Sequence, residues 1–234
     1  MNRLSVIIPT YQHAMTLYRC LEALFLQSRL PEEIIVVDDG STDDTRKVLD
    51  PYMDRIHYVF QQNQGAPVAR NNGFHLSTGN FVIFCDADAI LEPFMLERLE
   101  KTLNDHPEVS WVYSSFYWGK KLFRGKVFSV EALKEHNYIH TTSLIRREDF
   151  SGFDPSLKRF QDWDLWLTMS EHGKKGIFLN EVLFQILVEK KRSAYSTWLP
   201  KLAYNIPWQK LGWEPESIRK HEMAKKIIVH KHHL

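Results

Sequence analysis

The sequence predicts an α/β fold around a mainly parallel sheet, on three observations. Short β-type apolar runs alternate with helically spaced segments through the first 113 residues. Alternation of this kind builds βαβ units with right-handed crossovers. The run Glu33-Ile34-Ile35-Val36-Val37 is apolar without a break, as suits a strand covered on both faces. Hydrophobic residues are 44% and charged residues 25% of the 234, an ordinary globular balance that leaves out disorder and collagen-like repeats.

Each element follows in order. Ser5-Val6-Ile7-Ile8 is a first strand stopped by Pro9. Leu17, Leu21, Leu24 and Phe25 recur at helical spacing and predict a helix over 14–27. The second strand, 33–37, leads to a helix over 42–49 with Ser41 as its N-cap. Residues 56–60 form a third strand, 66–77 a helix and 81–85 a fourth strand. Pro93 opens a helix that runs to 104, a position where its missing N–H has no partner to lose. Residues 109–113 are a fifth strand. From 114 to 147 the chain reads as irregular and aromatic; a helix is expected over 162–172, then two strands near Ile177 and over 182–188.

Charge and cysteine content narrow the function. The net charge is +1, which argues against a protein that coats nucleic acid with its whole surface. Cys20 and Cys85 sit in apolar runs and read as buried thiols in a reducing compartment, so a disulfide scaffold and a zinc finger are left out. No signal peptide and no uncharged apolar run of roughly 20 residues is present. The expected location is cytoplasmic, with peripheral contact at a membrane's inner face as an option. That option comes from residues 189–234, which carry a charge of +6 and Trp198, Trp208 and Trp213. A pair of helices packed on the domain is the other reading of this tail.

In parallel α/β sheets, ligands bind beyond the carboxyl ends of the strands. Asp86-Ala87-Asp88 follows the fourth strand and offers two hard carboxylates to one divalent cation; a polar turn is the plain alternative. Asp39, within Asp38-Asp39-Gly40-Ser41, can accept from a ring N–H or a ribose hydroxyl, or cap a helix. In Pro9-Thr10-Tyr11, Thr10 can bond a base edge and Tyr11 pack on its face. Gly65 lets the backbone turn before a helix in which Arg70 lies one turn on, within reach of a phosphate or base. Asp162 opens a helix, where the dipole favours a carboxylate and a base is exposed to substrate. His140 is an isolated candidate. Neither a G-x-G-x-x-G after the first strand nor a P-loop occurs.

Four of these signals, in this order, resemble the family 2 glycosyltransferases of GT-A fold. They are Ser5-Val6-Ile7-Ile8-Pro9-Thr10-Tyr11, Ile34-Ile35-Val36-Val37-Asp38-Asp39-Gly40-Ser41-Thr42-Asp43, Asn63-Gln64-Gly65 with Ala69-Arg70-Asn71-Asn72-Gly73, and Asp86-Ala87-Asp88. A fifth, Gln161-Asp162-Trp163-Asp164-Leu165-Trp166, resembles the family's acidic acceptor-side motif. The resemblance covers residues 3–188 and implies a Rossmann-like α/β/α sandwich. Residues 1–113 would be the nucleotide-sugar half, 114–188 the acceptor half, and 189–234 a helical tail that matches no motif.

The resemblance implies roles. Pro9, Thr10, Tyr11, Asp39, Gly65, Arg70 and Asp86 fall in the nucleotide site, and Asp86 and Asp88 where the family holds Mn2+ or Mg2+ with the diphosphate. Asp162 falls on the general base. Apart from the resemblance, Trp118, Trp163 and Trp166 are acceptor-side candidates that could stack on a sugar or equally lie in the core, and His140 is an acceptor-side candidate or a hydrogen-bonded structural residue. Gln161 departs from the family's frequent Glu, and Thr168 stands near a common basic position. The implied reaction is inverting transfer from a nucleotide-diphosphate sugar, UDP-linked by preference, to the hydroxyl of a glycan or lipid-linked acceptor in polysaccharide, glycolipid or cell-surface glycan biosynthesis. A sugar nucleotidyltransferase is the first rival, though 9–13 holds no glycine; a non-catalytic glycan- or nucleotide-binding module is the second.

Overall fold

A computed structural model describes residues 2–188, 206, 208 and 215–234. Its centre is β1 (Leu4–Thr10), buried along its whole length between β2 (Glu33–Asp38) and β4 (Phe81–Phe84) and parallel to both. β3 (His57–Phe60) adds to β2, also in parallel. Alternate residues of β1 and β2 serve opposite faces. Val6, Ile8, Ile34 and Val36 meet Leu17, Leu21 and Leu24 of α1 (Ala14–Phe25), while Ile35 and Val37 cluster with Ala69 of α3 (Ala66–Leu76). α3 lies so close to β1 that a Cβ on Gly73 would stand 2.4 Å from Ile7 Cγ2. The continuous apolar strands are thus explained by helices on both faces.

The second half is mixed in direction. After β5 (Ala89–Leu91) and α4 (Met95–Asp105) come β6 (Trp111–Trp118), β7 (Lys121–Phe123), α5 (Val130–Glu135) and β8 (Leu144–Arg146). α6 (Gln161–Glu171), β9 (Gly176–Ile186) and α7 (Glu216–Lys231) complete the described elements. The sheet order is β3-β2-β1-β4-β8-β6-β9-β5, with β7 folded onto β6. β8 is antiparallel to both β4 and β6, so the carboxyl end of β6 rises on the same rim as those of β1, β2 and β4.

The α/β sheet and the C-terminal helix are as the sequence predicts, and several local expectations are corrected. Ser41 caps no helix: its hydroxyl accepts from Gln12 N, and Gln12 Oε1 takes the amides of Thr42 and Asp43. α2 (Thr45–Leu49) therefore begins only after those amides are spent. Residues 114–147 hold the greater part of β6, the strands β7 and β8 and the helix α5 rather than irregular chain. The two expected C-terminal strands are one, β9, because Asn180 and Glu181 bulge out between the pairs Leu179–Ser114 and Val182–Ser115. Cys20 and Cys85 are buried free thiols with Sγ atoms 3.6 Å apart. In α7, Ile218 and Ile228 are buried against the domain. Trp198 and Trp213 lie outside the described residues, among which no helix is long and apolar enough to cross a membrane.

Candidate active site at the strand ends

The carboxyl ends of β1, β2 and β4 open into a cavity of about 220 Å³. Pro9, Thr10, Tyr11, His13, Asp39, Ala66, Arg70, Asp86, Ala87 and Asp88 line it. Pro9, Thr10, Tyr11, Asp39, Arg70, Asp86 and Asp88 are thereby brought together from four separate stretches of chain. A larger hollow, of about 440 Å³, lies at the opposite rim. Its arginines, Arg146 and Arg147, are spent on the carbonyls of Leu103, Val109, His106 and Phe74 and on Ser77 Oγ. The strand-end cavity holds unspent polar capacity in its wall. Of the five buried side-chain atoms without a partner among the described residues, Thr10 Oγ1, His13 Nδ1 and Arg70 Nε belong to its lining. Buried polar atoms left single in this way invite a polar ligand.

Asp39 is fixed mainly by backbone. Its Oδ1 accepts from Gln61 Nε2 (2.7 Å) and Gln64 N (2.9 Å), and its Oδ2 from Gly65 N (2.8 Å). Gly65 has φ +94°, a conformation that favours glycine, and this turns its amide toward the carboxylate. Three donors leave one of the roughly four lone-pair sites of the carboxylate for a ligand. Asp38, its neighbour, is spent on Ser41 N and Tyr58 OH, and burial together with Asp38 pushes the Tyr58 hydroxyl up to about 12.

Arg70 joins the two halves. Its Nη2 donates to Asp86 Oδ1 (2.7 Å) and its Nη1 to Gln161 Oε1 (2.8 Å). His140 Nε2 stands 3.6 Å from Asp86 Oδ2. Its Nδ1 accepts from Thr142 N (3.0 Å), so a neutral ring carries its proton on Nε2, facing the carboxylate. Burial holds His140 below its ordinary value, against the opposing pull of Asp86 and Asp162. Burial pushes Asp86 up, but the Arg70 charge, His140 and the Arg70 hydrogen bond outweigh it and hold the carboxyl below its usual range.

Asp162 behaves in the opposite way. Burial pushes its carboxyl above the ordinary value, opposed only in part by His140, Trp163 N and Arg70. Asn137 Nδ2 donates to its Oδ2 (2.6 Å) and Trp163 N to its Oδ1 (2.9 Å). Of the two readings open for Trp163 and Trp166, burial favours the core. Trp163 and Trp166 are 3% and 0% exposed, with their indole N–H groups bound to Leu133 O and Ile139 O. They are core residues with no face to offer a sugar, because their helix turns them inward against α5 and β6. Trp118 is half-buried at the end of β6, in register with Lys121 and Ile186. Sequence reasoning missed His13, Asn137 and the Gln161–Arg70 link. His13, two residues beyond Tyr11 on a strand-end loop, was open to the same positional argument; the other two are long-range.

Asp86 and Asp88 bring the hard oxygen donors that Mg2+ or Mn2+ takes, and no group of three or more candidate ligands exists among the described residues. A donor set this small fits an ion that completes its shell with substrate phosphates and water.

Residues 5–153 match the family model Glycosyl transferase family 2. The uncharacterized glycosyltransferase YibD of Escherichia coli is 42% identical over 101 residues, 42% of this chain and 29% of that protein. TuaG of Bacillus subtilis, a glycosyltransferase named for teichuronic acid biosynthesis, is 30% identical over 217 residues, 83% of this chain and 85% of that protein. The GalNAc(5)-diNAcBac-PP-undecaprenol beta-1,3-glucosyltransferase of Campylobacter jejuni is 29% identical over 224 residues, 88% of this chain and 71% of that protein. Coverage of these relatives thus ranges from under a third to most of their length. Two solved structures share the fold. TarS of Staphylococcus aureus with UDP-GlcNAc has a TM-score of 0.69 at 19% identity, over 93% of this chain and 69% of that one. The mannosyltransferase PcManGT of Pyrobaculum calidifontis, with GDP-Man and Mn2+, has 0.65 at 21%, over 97% and 70%.

Proposed function

The chain belongs to glycosyl transferase family 2, and from that premise we propose that it moves a sugar from a UDP-sugar to an acceptor hydroxyl with inversion. The observation that carries the reading is the convergence of Thr10, Asp39, Arg70, Asp86 and Asp88 on one cavity whose wall holds unpaired polar atoms. The complex of TarS with UDP-GlcNAc supports a UDP-linked donor. The names of the TuaG and undecaprenol-linked relatives support a glycan or lipid-linked acceptor in cell-surface polysaccharide synthesis. We assign the reaction to the cytoplasm, where free thiols such as Cys20 and Cys85 persist. Lipid-linked acceptors would bring it to the membrane's inner face.

Thr10 bonds the base edge and Tyr11 packs on its face. The remaining lone pair of Asp39 accepts from the base ring. Asp86, kept ionised by Arg70, accepts from the ribose. Asp86 and Asp88 would hold Mn2+ or Mg2+, which supplies positive charge to the departing diphosphate when bound. Asp162 takes the proton from the acceptor hydroxyl as that oxygen attacks the anomeric carbon opposite the leaving group. A single displacement inverts the centre. His140, its Nδ1 held by Thr142 N, presents Nε2 to Asp86.

A thermal-shift panel of UDP-, GDP- and dTDP-sugars, each with and without Mn2+, tests the donor. Stabilisation selective for UDP-sugars with Mn2+ is expected by mass action. Equal response to all, or none, contradicts it. In turnover, UDP is the expected product; pyrophosphate would mark a nucleotidyltransferase instead.

A further inference from the structure

α6 carries Asp162 in its first turn, with Gln161 beside it accepting from Arg70 at 2.8 Å. Both halves of the site therefore depend on how that turn is held. Asp164, two residues on, has a side chain only 3% exposed. A carboxylate so deep is costly unless paired. Its partners come from the end of the chain: Lys231 Nζ at 2.7 Å and His232 Nε2 at 2.9 Å, both on Oδ1. Lys231 Nζ also lies 2.7 Å from Asp154 Oδ2, in the loop leading to α6. His232 Nδ1 lies 2.8 Å from Glu171 Oε1, at the helix's last residue. Two adjacent side chains thus grip the approach, the first turn and the last turn of one helix.

Apolar contacts follow the same line. Ile228 is fully buried in the cluster that holds Trp163, Trp166 and Leu133. The His221 ring meets Phe160 edge-on at 5.1 Å, and Phe160, with φ +59°, is the left-handed residue from which α6 starts. Such a conformation persists only where its surroundings impose it. Residues 161–234 lie outside the stretch matched by the family model.

We propose that Lys231 and His232 are positioning residues for the transfer reaction: by gripping Asp164 they fix the first turn of α6, and with it the aim of Asp162 and Gln161 into the site. The proposal rests on the reading of Asp162 as base. The C-terminal helix then serves the chemistry from behind, without touching substrate. Loss of the grip frays the start of α6 and leaves the β1–β4 layer as it was.

The test uses full-length His232→Gln and Lys231→Met, with Asp164→Asn as a second variant that keeps the side chain's shape and removes the buried charge, so that it folds even if Lys231→Met does not. Hydrogen exchange should quicken about tenfold or more for amides 163–165 while 34–37 stay unchanged, the signature of local opening. UDP release from UDP-GlcNAc with Mn2+, hydrolysis included, gives the second readout. Its rate constant should fall about tenfold with the donor KM within about twofold, a loss of transition-state stabilisation rather than of binding. Its acid limb should also move to lower pH as water reaches Asp162, which His140, Arg70 and Asn137 now face. A purely structural loss of active molecules scales the rate at every pH and moves no limb. Unchanged exchange in α6, or equal quickening in 34–37, overturns the proposal. Local quickening with an unmoved limb confines Lys231 and His232 to structure and overturns their positioning role. If Asp162→Asn releases UDP as fast as the natural protein, the base reading fails by itself, and that is told apart because the exchange result does not involve it.

Discussion

Two aspartates, one in each half of the molecule, are held in opposite ways. Asp86 is pinned by Arg70 from the neighbouring helix and kept below the usual carboxylate range. Asp162 has no cation in direct contact among the described residues, takes neutral donors from Asn137 and Trp163 N, and is pushed up by burial. Environments that drive like groups apart divide labour between them. A carboxylate that stays ionised suits binding, and one whose proton affinity is raised suits base work. The supports differ as well. Asp39 and Asp86 are fixed by residues 16 to 26 positions away, whereas Asp164, in the first turn of α6, meets residues 67 and 68 positions further on.

The sharpest way to break this contrast is Asp162→Asn. It should lower turnover by about 10²–10⁴-fold and leave UDP affinity unchanged, if proton transfer is its task. Steady-state kinetics beside calorimetry reads both. In the natural protein, a base must be ionised and this one resists ionisation, so activity should fall with decreasing pH through a midpoint above the ~3.9 of a free aspartate. A midpoint at or below that value removes the contrast with Asp86.

Next in size is Asp39→Ala on the donor side. It strands Gln64 N and Gly65 N, at a cost of about 1–3 kcal/mol in unfolding free energy. UDP affinity should fall by about 10–100-fold, the range of a hydrogen bond to a charged group. Urea unfolding and calorimetry measure the two. Smallest is Trp166→Phe. It removes the donor to Ile139 O and should cost about 1 kcal/mol of stability with UDP affinity unaltered, as a core residue requires. A specific loss of acceptor affinity would return Trp166 to the site.

The same difference in reach governs what the sequence made legible. In the first half Thr10, Asp39 and Asp86 stand at or just past the ends of their own strands, so periodicity located the strand ends and the strand ends located these three. Gly65 was visible because a turn before a helix needs its backbone freedom. In the second half the determinants are tertiary. A tryptophan on a short helix reads alike as core or as sugar platform until α5 and β6 are placed around it. Asn180-Glu181 lies between two expected strands and proves to be a bulge within one. Ser41 looks like a cap until Gln12, 29 residues away, claims its hydroxyl. The Lys231–His232 grip leaves no local pattern at all, since its meaning lies in a buried Asp164.

The central claim is that the strand-end cavity of β1, β2 and β4 takes a nucleotide diphosphate together with a divalent ion. Titration of UDP with Mn2+ into the natural protein and into Asp88→Ala, followed by heat, tests it most directly. Clear binding to the first that weakens at least about tenfold in the second, a difference of about 1.4 kcal/mol, is the expected result. Equal affinities, or none for UDP in the natural protein, would contradict it.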